Sequence, residues 1–198
     1  MKGRESGMPQ EAFWASFFDA DCIVSALHCA PEGNERIAEF GCGYGTFTLP
    51  VAKLTTGDVY TFDIEPDMIR YVENKAAESR LANIHAEQRD FLEDGSGLAD
   101  VSIDHVMIYN LLHIEESLDL LREAHRILKP GGRLSVIHWN FDPDTPRGPP
   151  MDMRPTPEGC IELAQQAGFQ VIDQPDISNC AAHHYGILFG LTQNNQQS

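Results

Sequence analysis

Short β-forming runs alternate with amphipathic helical segments over most of this 198-residue chain, and this order constrains the fold more than any other feature. Strands are predicted at residues 36–40, 59–63, 84–88, 105–109 and 133–139, and helices at residues 46–54, 66–79 and 115–128. Strands separated by helices form βαβ units, in which the strands run parallel. The sequence therefore predicts an α/β protein with a mostly parallel sheet.

The two ends of the chain follow a different pattern. Residues 10–29 are apolar with helical spacing, so this helix is expected to pack on or over the sheet. Residues 143–157 contain six prolines and two aspartates, which excludes a helix or a central strand and predicts a long ordered loop. A helix at 157–167 precedes two β-like runs, 169–174 and 184–191, with no helix between them. This order indicates an antiparallel pair at the edge of the sheet.

A glycine-rich turn joins the first predicted strand to the next helix, with the sequence Glu-Phe-Gly-Cys-Gly-Tyr-Gly at residues 39–45. Glycines permit a tight turn and a close ligand, and backbone amides at a helix N-terminus lack partners. The dinucleotide fingerprint GxGxxG/A fails because Thr46 occupies its last position, and no P-loop Gly-Lys-Ser/Thr follows. The turn alone indicates either a ligand site or a plain structural turn.

Acidic residues at the ends of the next two predicted strands favour a ligand site. A carboxylate at Asp63 can accept hydrogen bonds from two ribose hydroxyls, although it could also cap the following helix. Asp90 is followed by Phe91, a pairing that suits an adenine amino group and ring, although a solvated loop aspartate is the alternative. Open α/β sheets bind ligands at this carboxyl edge.

These segments together resemble the motifs of class I S-adenosylmethionine-dependent methyltransferases, in the style of the ubiquinone/menaquinone-biosynthesis-like branch that acts on small molecules. The resemblance rests on residues 37–45, 62–64, 90–91 and 128–134. It implies a Rossmann-like, doubly wound, mostly parallel seven-stranded sheet with a C-terminal antiparallel strand. It also implies S-adenosylmethionine as methyl donor and S-adenosylhomocysteine as product.

The resemblance assigns cofactor roles to particular residues. Gly41, Cys42 and Gly43 would cradle the methionine part beside Tyr44, and Glu39 would support the loop or the cofactor's amino group. The remaining assignments follow the strand ends: Asp63 for the ribose, Ile64 and Met68 beside the adenine, Asp90 and Phe91 at the adenine edge, and Asn110 and Leu111 at the reactive end.

Candidate catalytic residues lie near the same edge. His113 follows the fourth predicted strand and His138 lies on the fifth, so either could act as a general base if the acceptor loses a proton. Many amino-methylating relatives carry an Asn/Asp-Pro-Pro-Tyr/Phe motif after the fourth strand, whereas this chain has Asn-Leu-Leu-His at residues 110–113. Methylation of a base amine is therefore disfavoured. Arg147 or Arg154 is a candidate to meet an acidic group on the acceptor.

Composition limits the classes of partner that the chain is expected to bind. A formal net charge of −16 disfavours nucleic acid and anionic membranes as partners. No apolar run approaches the roughly 20 residues of a membrane span, and the N-terminus lacks a signal peptide, so a cytoplasmic protein is expected. The five cysteines have no CxxC spacing and are expected to be thiols, with no metal site. The oligomeric state is not predicted.

We expect one methyltransferase domain over residues 1–198. It comprises a helical cover at 1–30, a cofactor-binding core at 35–140, the proline-rich loop at 143–157, a helix with antiparallel strands at 158–192 and a frayed tail at 193–198. The function predicted is methyl transfer to a small-molecule acceptor by in-line displacement. A nucleotide-dependent oxidoreductase, a non-catalytic S-adenosylmethionine-binding protein and thiolate-dependent methylation of a metalloid are the alternatives.

Overall fold

A computed structural model describes residues 8–30 and 32–192, and the predicted tail at 193–198 lies outside these residues. The described chain forms six helices and seven strands. The helices are α1 (Glu11–Ala15), α2 (Ala20–Ala26), α3 (Thr48–Leu54), α4 (Pro66–Ser79), α5 (Ser117–Ile127) and α6 (Pro157–Gln166). The strands are β1 (Ile37–Phe40), β2 (Val59–Asp63), β3 (Ile84–Gln88), β4 (Ile103–Tyr109), β5 (Leu128–Trp139), β6 (Phe169–Asp173) and β7 (His184–Leu191).

The strands form one seven-stranded sheet in the order β3-β2-β1-β4-β5-β7-β6. Strands β1 to β5 pair in parallel, whereas β7 runs antiparallel to both β5 and β6. This arrangement confirms the predicted α/β class and the antiparallel pair at the C-terminal edge. The chain reverses its direction of winding between β1 and β4, which is the position where doubly wound sheets bind ligands.

The sheet carries hydrophobic cores on both faces. Helices α5 and α6 cover one face, where Leu120, Leu121 and Ala164 are fully buried against the strands. Helices α2 and α3 cover the other face, with Ile23 and Val51 in its core. Because both faces are covered, all four residues of β1 are buried, including the acid Glu39.

The register of the central strands aligns their carboxyl ends. Phe40 of β1 lies opposite Phe62 of β2 and Ile108 of β4, and Tyr109 lies opposite Ile137 of β5. The residues that follow these positions therefore meet along one edge of the sheet.

The helix predicted over residues 10–29 is wrong as a continuous element. It is divided into α1 and α2, with residues 16–19 in non-helical conformation between them. The side chain of Asp19 accepts a hydrogen bond from the Cys22 amide at 3.0 Å and so caps a new helix. An aspartate at this position favours a cap over a helix interior, and this signal outweighed the apolar spacing.

The expectation of five thiols is also wrong. Cys22 of α2 and Cys180 of the β6–β7 connection form a disulfide across a sequence separation of 158 residues. The spacing of the cysteines along the chain could not predict this pair, because the two residues are distant in sequence and come together only in the folded structure. Cys29, Cys42 and Cys160 are free and buried.

The remaining boundaries shift by a few residues. Strand β5 begins at Leu128 instead of residue 133, because Leu128 already pairs with Ile103 before the glycine turn at 131–132. The proline-rich segment forms no helix or strand before α6 begins at Pro157, as predicted. No helix within residues 8–30 and 32–192 is long and apolar enough to cross a membrane.

Candidate functional site

A cavity of about 480 Å³ lies at the carboxyl edge of the sheet. Its floor comes from residues that directly follow β1, β2, β3 and β4. Residues 8–19, here called the cover segment, contribute Met8, Pro9 and Trp14 on one side, and the proline-rich loop contributes residues 147–150 and Met153. The volume falls within the range of roughly 300–1,000 Å³ that small-molecule sites occupy.

The glycine loop forms part of this floor. The amides of Gly41 and Cys42 donate hydrogen bonds of 2.8 and 3.0 Å to the Phe62 carbonyl, which ties the loop to β2. Gly41 and Gly43 have φ angles of 76° and 50°, a region that disfavours residues with a side chain. The backbone of Gly41, Cys42 and Gly43 therefore lines the cavity without side chains that would fill it.

Asp63 ends β2 and lines the cavity beside this loop. One carboxylate oxygen accepts a hydrogen bond of 2.9 Å from the Gly43 amide, and the other accepts one of 3.0 Å from the Glu65 amide. Burial raises the pKa of this carboxyl, and the backbone hydrogen bonds oppose that shift. A carboxylate can accept further hydrogen bonds, so Asp63 fixes the loop and still offers acceptors to a ligand. It does not cap α4, whose N-cap residue is Glu65.

Glu39 lies beneath the glycine loop and does not line the cavity. Its carboxylate accepts hydrogen bonds from the hydroxyls of Thr48 and Thr61, the latter at 2.9 Å. Burial raises the pKa of Glu39 to about 7. Of the two roles predicted for Glu39, the geometry favours support of the loop.

The residues predicted to lie beside the adenine divide into two groups. Ile64, Asp90 and Phe91 line the cavity, and the Phe91 ring packs at 5.1 Å from that of Phe40. Met68 instead packs against the small cluster of Cys42, Ile69 and Val72.

Tyr44 also points away from the cavity wall. Its ring lies 5.3 Å from that of Tyr71, and its hydroxyl donates a hydrogen bond of 2.8 Å to the Pro9 carbonyl. Tyr44 therefore holds the cover segment instead of lining the site.

Asn110 and Leu111 line the cavity directly after β4. Asn110 has a φ angle of 58°, which is uncommon for a residue other than glycine. Its side-chain oxygen and nitrogen are both buried and have no hydrogen-bond partner within the described part of the chain. Buried polar groups normally have partners, so this amide is placed to bind a ligand.

The two candidate catalytic histidines form a pair. His113 lines the cavity, and its Nδ1 lies 3.4 Å from Nε2 of His138, which is fully buried behind it. Burial lowers the pKa of His113 and lowers that of His138 to about 3. Both rings are therefore neutral near neutral pH, and only His113 reaches the cavity.

The two candidate arginines have different surroundings. Arg147 lines the cavity, whereas Arg154 is buried within the proline-rich loop. Arg154 donates hydrogen bonds to two loop carbonyls, to the Thr145 hydroxyl and to the carbonyls of Asn140 and Asp142 just before the loop. Arg154 is thus committed to shaping the loop, which leaves Arg147 as the candidate that can meet an acceptor.

Aromatic residues line part of the cavity. Trp139 is one of them, whereas Phe17 and Phe18 lie behind the lining, with ring centroids 5.2 Å from those of Trp139 and Phe47 respectively. Sequence reasoning missed Trp14, Phe47 and Arg89 as lining residues. The sequence indicated Trp14 only as part of the apolar helix at residues 10–29. In the structure, its Nε1–H donates a hydrogen bond of 3.1 Å to the Thr46 hydroxyl. No group of three or more potential metal ligands occurs among the described residues.

Comparison with known proteins identifies the family. A profile described as "Methyltransferase domain" matches residues 37–132. The demethylmenaquinone methyltransferase of Geobacillus sp. (strain WCH70) is 28% identical over 107 residues, covering 52% of this chain and 45% of the relative. The O-methyltransferase rstn1 of Aspergillus nomiae is 29% identical over 161 residues, covering 73% and 68%. The chain spans about half the length of the first curated relatives it matches.

Solved structures share the fold. A SAM-dependent methyltransferase from Aquifex aeolicus aligns with a TM-score of 0.75 at 20% identity, covering 87% of this chain and 89% of that one. The [4+2]-cyclase SpnF aligns with a TM-score of 0.76 at 16% identity, covering 96% and 85%. Together with the glycine loop, the acids at the strand ends and the sheet order, the profile match over residues 37–132 supports a class I S-adenosylmethionine-dependent methyltransferase.

Proposed function

We propose that this protein transfers the methyl group of S-adenosylmethionine to a hydroxyl group of a small molecule, and that His113 accepts the hydroxyl proton. The observation that carries the proposal is one continuous cavity. It joins Asp63 and Asp90 at the cofactor end to His113 at the other.

The residues at the cofactor end fit S-adenosylmethionine. The glycine loop presents backbone without side chains, the Asp63 carboxylate has acceptor capacity left, and the Asn110 amide lacks a partner among the described residues. Asp63 would hold the ribose, Asp90, Phe91 and Ile64 the adenine, and the glycine loop the methionine part, with Asn110 and Leu111 beside the reactive end. Bound there, S-adenosylmethionine supplies a methyl group on an already activated sulfonium, so the protein contributes mainly proximity and orientation.

The histidine pair supports an acceptor that loses a proton. When His138 carries its proton on Nδ1, its Nε2 accepts a hydrogen bond from Nδ1–H of His113. The Nε2 of His113 then carries a lone pair, and no described residue hydrogen-bonds that atom. The lowered pKa of His113 keeps this lone pair available at neutral pH. His138 orients the ring and stabilises the cation that forms.

Several observations support a small acceptor. The cavity is covered by the cover segment and by the proline-rich loop, so a bulky polymer would have to displace both. A net charge of −16 disfavours nucleic acid. The names of two relatives, O-methyltransferase cnsE of Penicillium expansum and rstn1, are consistent with a hydroxyl acceptor. The cytoplasm stays our proposed compartment.

The earlier alternatives differ in their support. The family match argues against a nucleotide-dependent oxidoreductase. A cyclase shares this fold, so fold alone does not establish methyl transfer, and binding without transfer is the alternative that the experiment must separate.

The proposal predicts that His113→Asn lowers kcat by about 10²–10⁴, the usual contribution of general base catalysis. The measurement is transfer of labelled methyl from S-adenosylmethionine to a panel of hydroxyl, amine and thiol compounds. His125→Asn is the matched control, because His125 is exposed on α5 and away from the cavity. Transfer to amines alone, or full activity of His113→Asn, would contradict the proposal.

A further inference from the structure

The cover segment rests directly on the glycine loop. Met8 approaches Gly43 so closely that a Cβ atom on Gly43 would lie 3.0 Å from the Met8 methyl group. The Tyr44 hydroxyl donates to the Pro9 carbonyl, and Trp14 donates to Thr46 just past the loop. A molecule that enters or leaves the cofactor end on this side has to separate the cover segment from the loop.

The base of the cover segment is held by a second set of contacts. Residues 16–19 connect α1 to α2 and lie outside both helices, so the segment can turn there relative to α2. The Asp19 amide donates a hydrogen bond of 2.7 Å to the Cys180 carbonyl, and the Phe18 ring lies 4.7 Å from that of His184. Three residues after Asp19, Cys22 is bonded covalently to Cys180. The pivot of the cover segment is therefore fixed to the β6–β7 connection.

We propose that the Cys22–Cys180 disulfide is a redox-controlled clamp that slows release of S-adenosylhomocysteine by holding the pivot of the cover segment. The inference rests on the proposed function, since it concerns regulation of the same site. With the bond intact, the segment opens only by bending at residues 16–19. With the bond reduced, the pivot is held only by the Asp19 hydrogen bond and the Phe18 ring contact, and opening becomes more frequent.

The reaction needs a dithiol as reductant. A thiolate of the dithiol attacks one sulfur of the pair and breaks the Cys22–Cys180 bond, which forms a mixed disulfide and releases the other sulfur as a thiolate. The second thiol of the reductant then displaces the bound cysteine. The dithiol loses two electrons and two protons and becomes a disulfide, and Cys22 and Cys180 end as two thiols.

The chemistry is selective for this pair. Cys22 is only half-buried, so a reductant can approach it. The other three cysteines are buried, and burial raises the pKa values of Cys29 and Cys160 to about 11 and raises that of Cys42 as well. Since the thiolate is the reactive form, these thiols do not compete. A disulfide in a reducing compartment is usually transient or regulatory.

The test measures dissociation of tritiated S-adenosylhomocysteine, chased with unlabelled compound, from oxidised protein and from protein reduced with dithiothreitol. Thiol labelling after denaturation verifies the redox state, with three thiols expected in the oxidised form and five in the reduced form. We expect reduction to speed dissociation on the order of tenfold, the scale of a local opening change. Cys22→Ser and Cys180→Ser should dissociate fast in both conditions, and Cys160→Ser should respond like wild type.

Three results would overturn the clamp. The first is equal dissociation from verified oxidised and reduced wild-type protein, which leaves the proposed function intact because the compound still binds. The second is five labelled thiols under oxidising conditions, which would show that the bond does not form. The third is no binding in either state, which would contradict the proposed function and the clamp with it.

Discussion

Glu39, the acid beneath the glycine loop, has a raised pKa that can be tested by mutation. Glu39 is almost completely buried and is held by two threonine hydroxyls without a cationic partner among the described residues. Burial therefore disfavours the charged form, and the pKa of about 7 lies above the ordinary value of 4.5. Because the folded pKa exceeds the unfolded one, the protein loses stability as pH rises from 4.5 to 7.

This shift predicts the behaviour of Glu39→Gln. Glutamine keeps an oxygen that can accept both hydroxyl hydrogen bonds but carries no charge. The unfolding free energy of the variant relative to wild type should therefore rise by about 2–3 kcal/mol between pH 5 and pH 8. Urea unfolding at both pH values measures it. A difference that stays constant, or that falls as the pH rises, would show that the pKa of Glu39 is not raised in the folded protein.

The positions of individual cavity residues were predictable where the pattern identifies the end of a strand. Asp63 and Asp90 follow β-forming runs, and parallel strands place such residues at one edge, so both line the cavity. Tyr44 and Met68 lie one or a few positions away in the same motifs, yet their side chains point elsewhere. Side-chain direction in a loop or first helical turn depends on packing partners, which spacing alone does not specify.

At the scale of elements, one buried arginine shapes the proline-rich loop. The proline-rich loop lacks the backbone hydrogen bonds of a helix or strand, so many of its carbonyls need another donor. The guanidinium group of Arg154 donates hydrogen bonds to acceptors within residues 140–149. The loop therefore has a defined form and places Arg147, Pro149 and Met153 in the cavity wall. The sequence predicted a loop from its prolines but could not show which polar residue organises it.

Removing this guanidinium should unfold the loop before the sheet. We expect Arg154→Ala to lower the unfolding free energy by about 2–4 kcal/mol, because four partly buried carbonyls lose their donor and the buried Arg154 side chain loses its packing. Arg122→Ala is the control, since Arg122 is exposed and pairs only at the surface with Asp119; its effect should stay within about 0.5 kcal/mol. Denaturant unfolding compares the two. Equal, small effects would mean that the loop does not depend on Arg154.

Regular elements were more predictable than their connections. The bounds of β2, α4, β3 and β7 match the predicted residues because β-forming runs or helical spacing identify each of them. The break between α1 and α2 was missed because the apolar spacing of residues 10–29 obscured the local capping signal of Asp19. The disulfide was missed for a different reason, since Cys22 and Cys180 lie 158 residues apart and meet only in the assembled fold.

Across the whole molecule, buried histidines link stability to pH. His105, His138 and His184 are almost fully buried, and burial lowers the pKa of each to about 3. In the unfolded chain they titrate near 6.5, so the unfolded state binds more protons between these values. Each histidine therefore destabilises the fold as pH falls below 6.5.

His184→Phe tests this linkage at one position. The His184 ring packs 4.1 Å from Trp139 and 4.7 Å from Phe18, and neither of its nitrogens has a described hydrogen-bond partner, so an uncharged ring fits the site. Between pH 7.5 and pH 5.0 the variant should gain about 2 kcal/mol relative to wild type. Chemical unfolding at the two pH values provides the comparison. A gain below a few tenths of a kcal/mol would show that His184 is protonated in the folded state.

Asp63 is the residue through which the carboxyl edge of the sheet is expected to bind S-adenosylmethionine. Asp63→Asn retains an oxygen for the Gly43 amide, and Asp67→Ala removes an exposed acid of α4 as a matched control. Asp63→Asn separates the loss of loop support from the loss of ligand binding. Asp67→Ala shows whether removing a nearby negative charge is enough to change binding.

The deciding measurement is the affinity of labelled S-adenosylmethionine for wild type and for Asp63→Ala. We expect Asp63→Ala, in a form that remains folded, to bind more weakly by about 1.5–3 kcal/mol, roughly 10- to 150-fold, and Asp67→Ala to bind as wild type does. Unchanged affinity in folded Asp63→Ala would contradict this expectation.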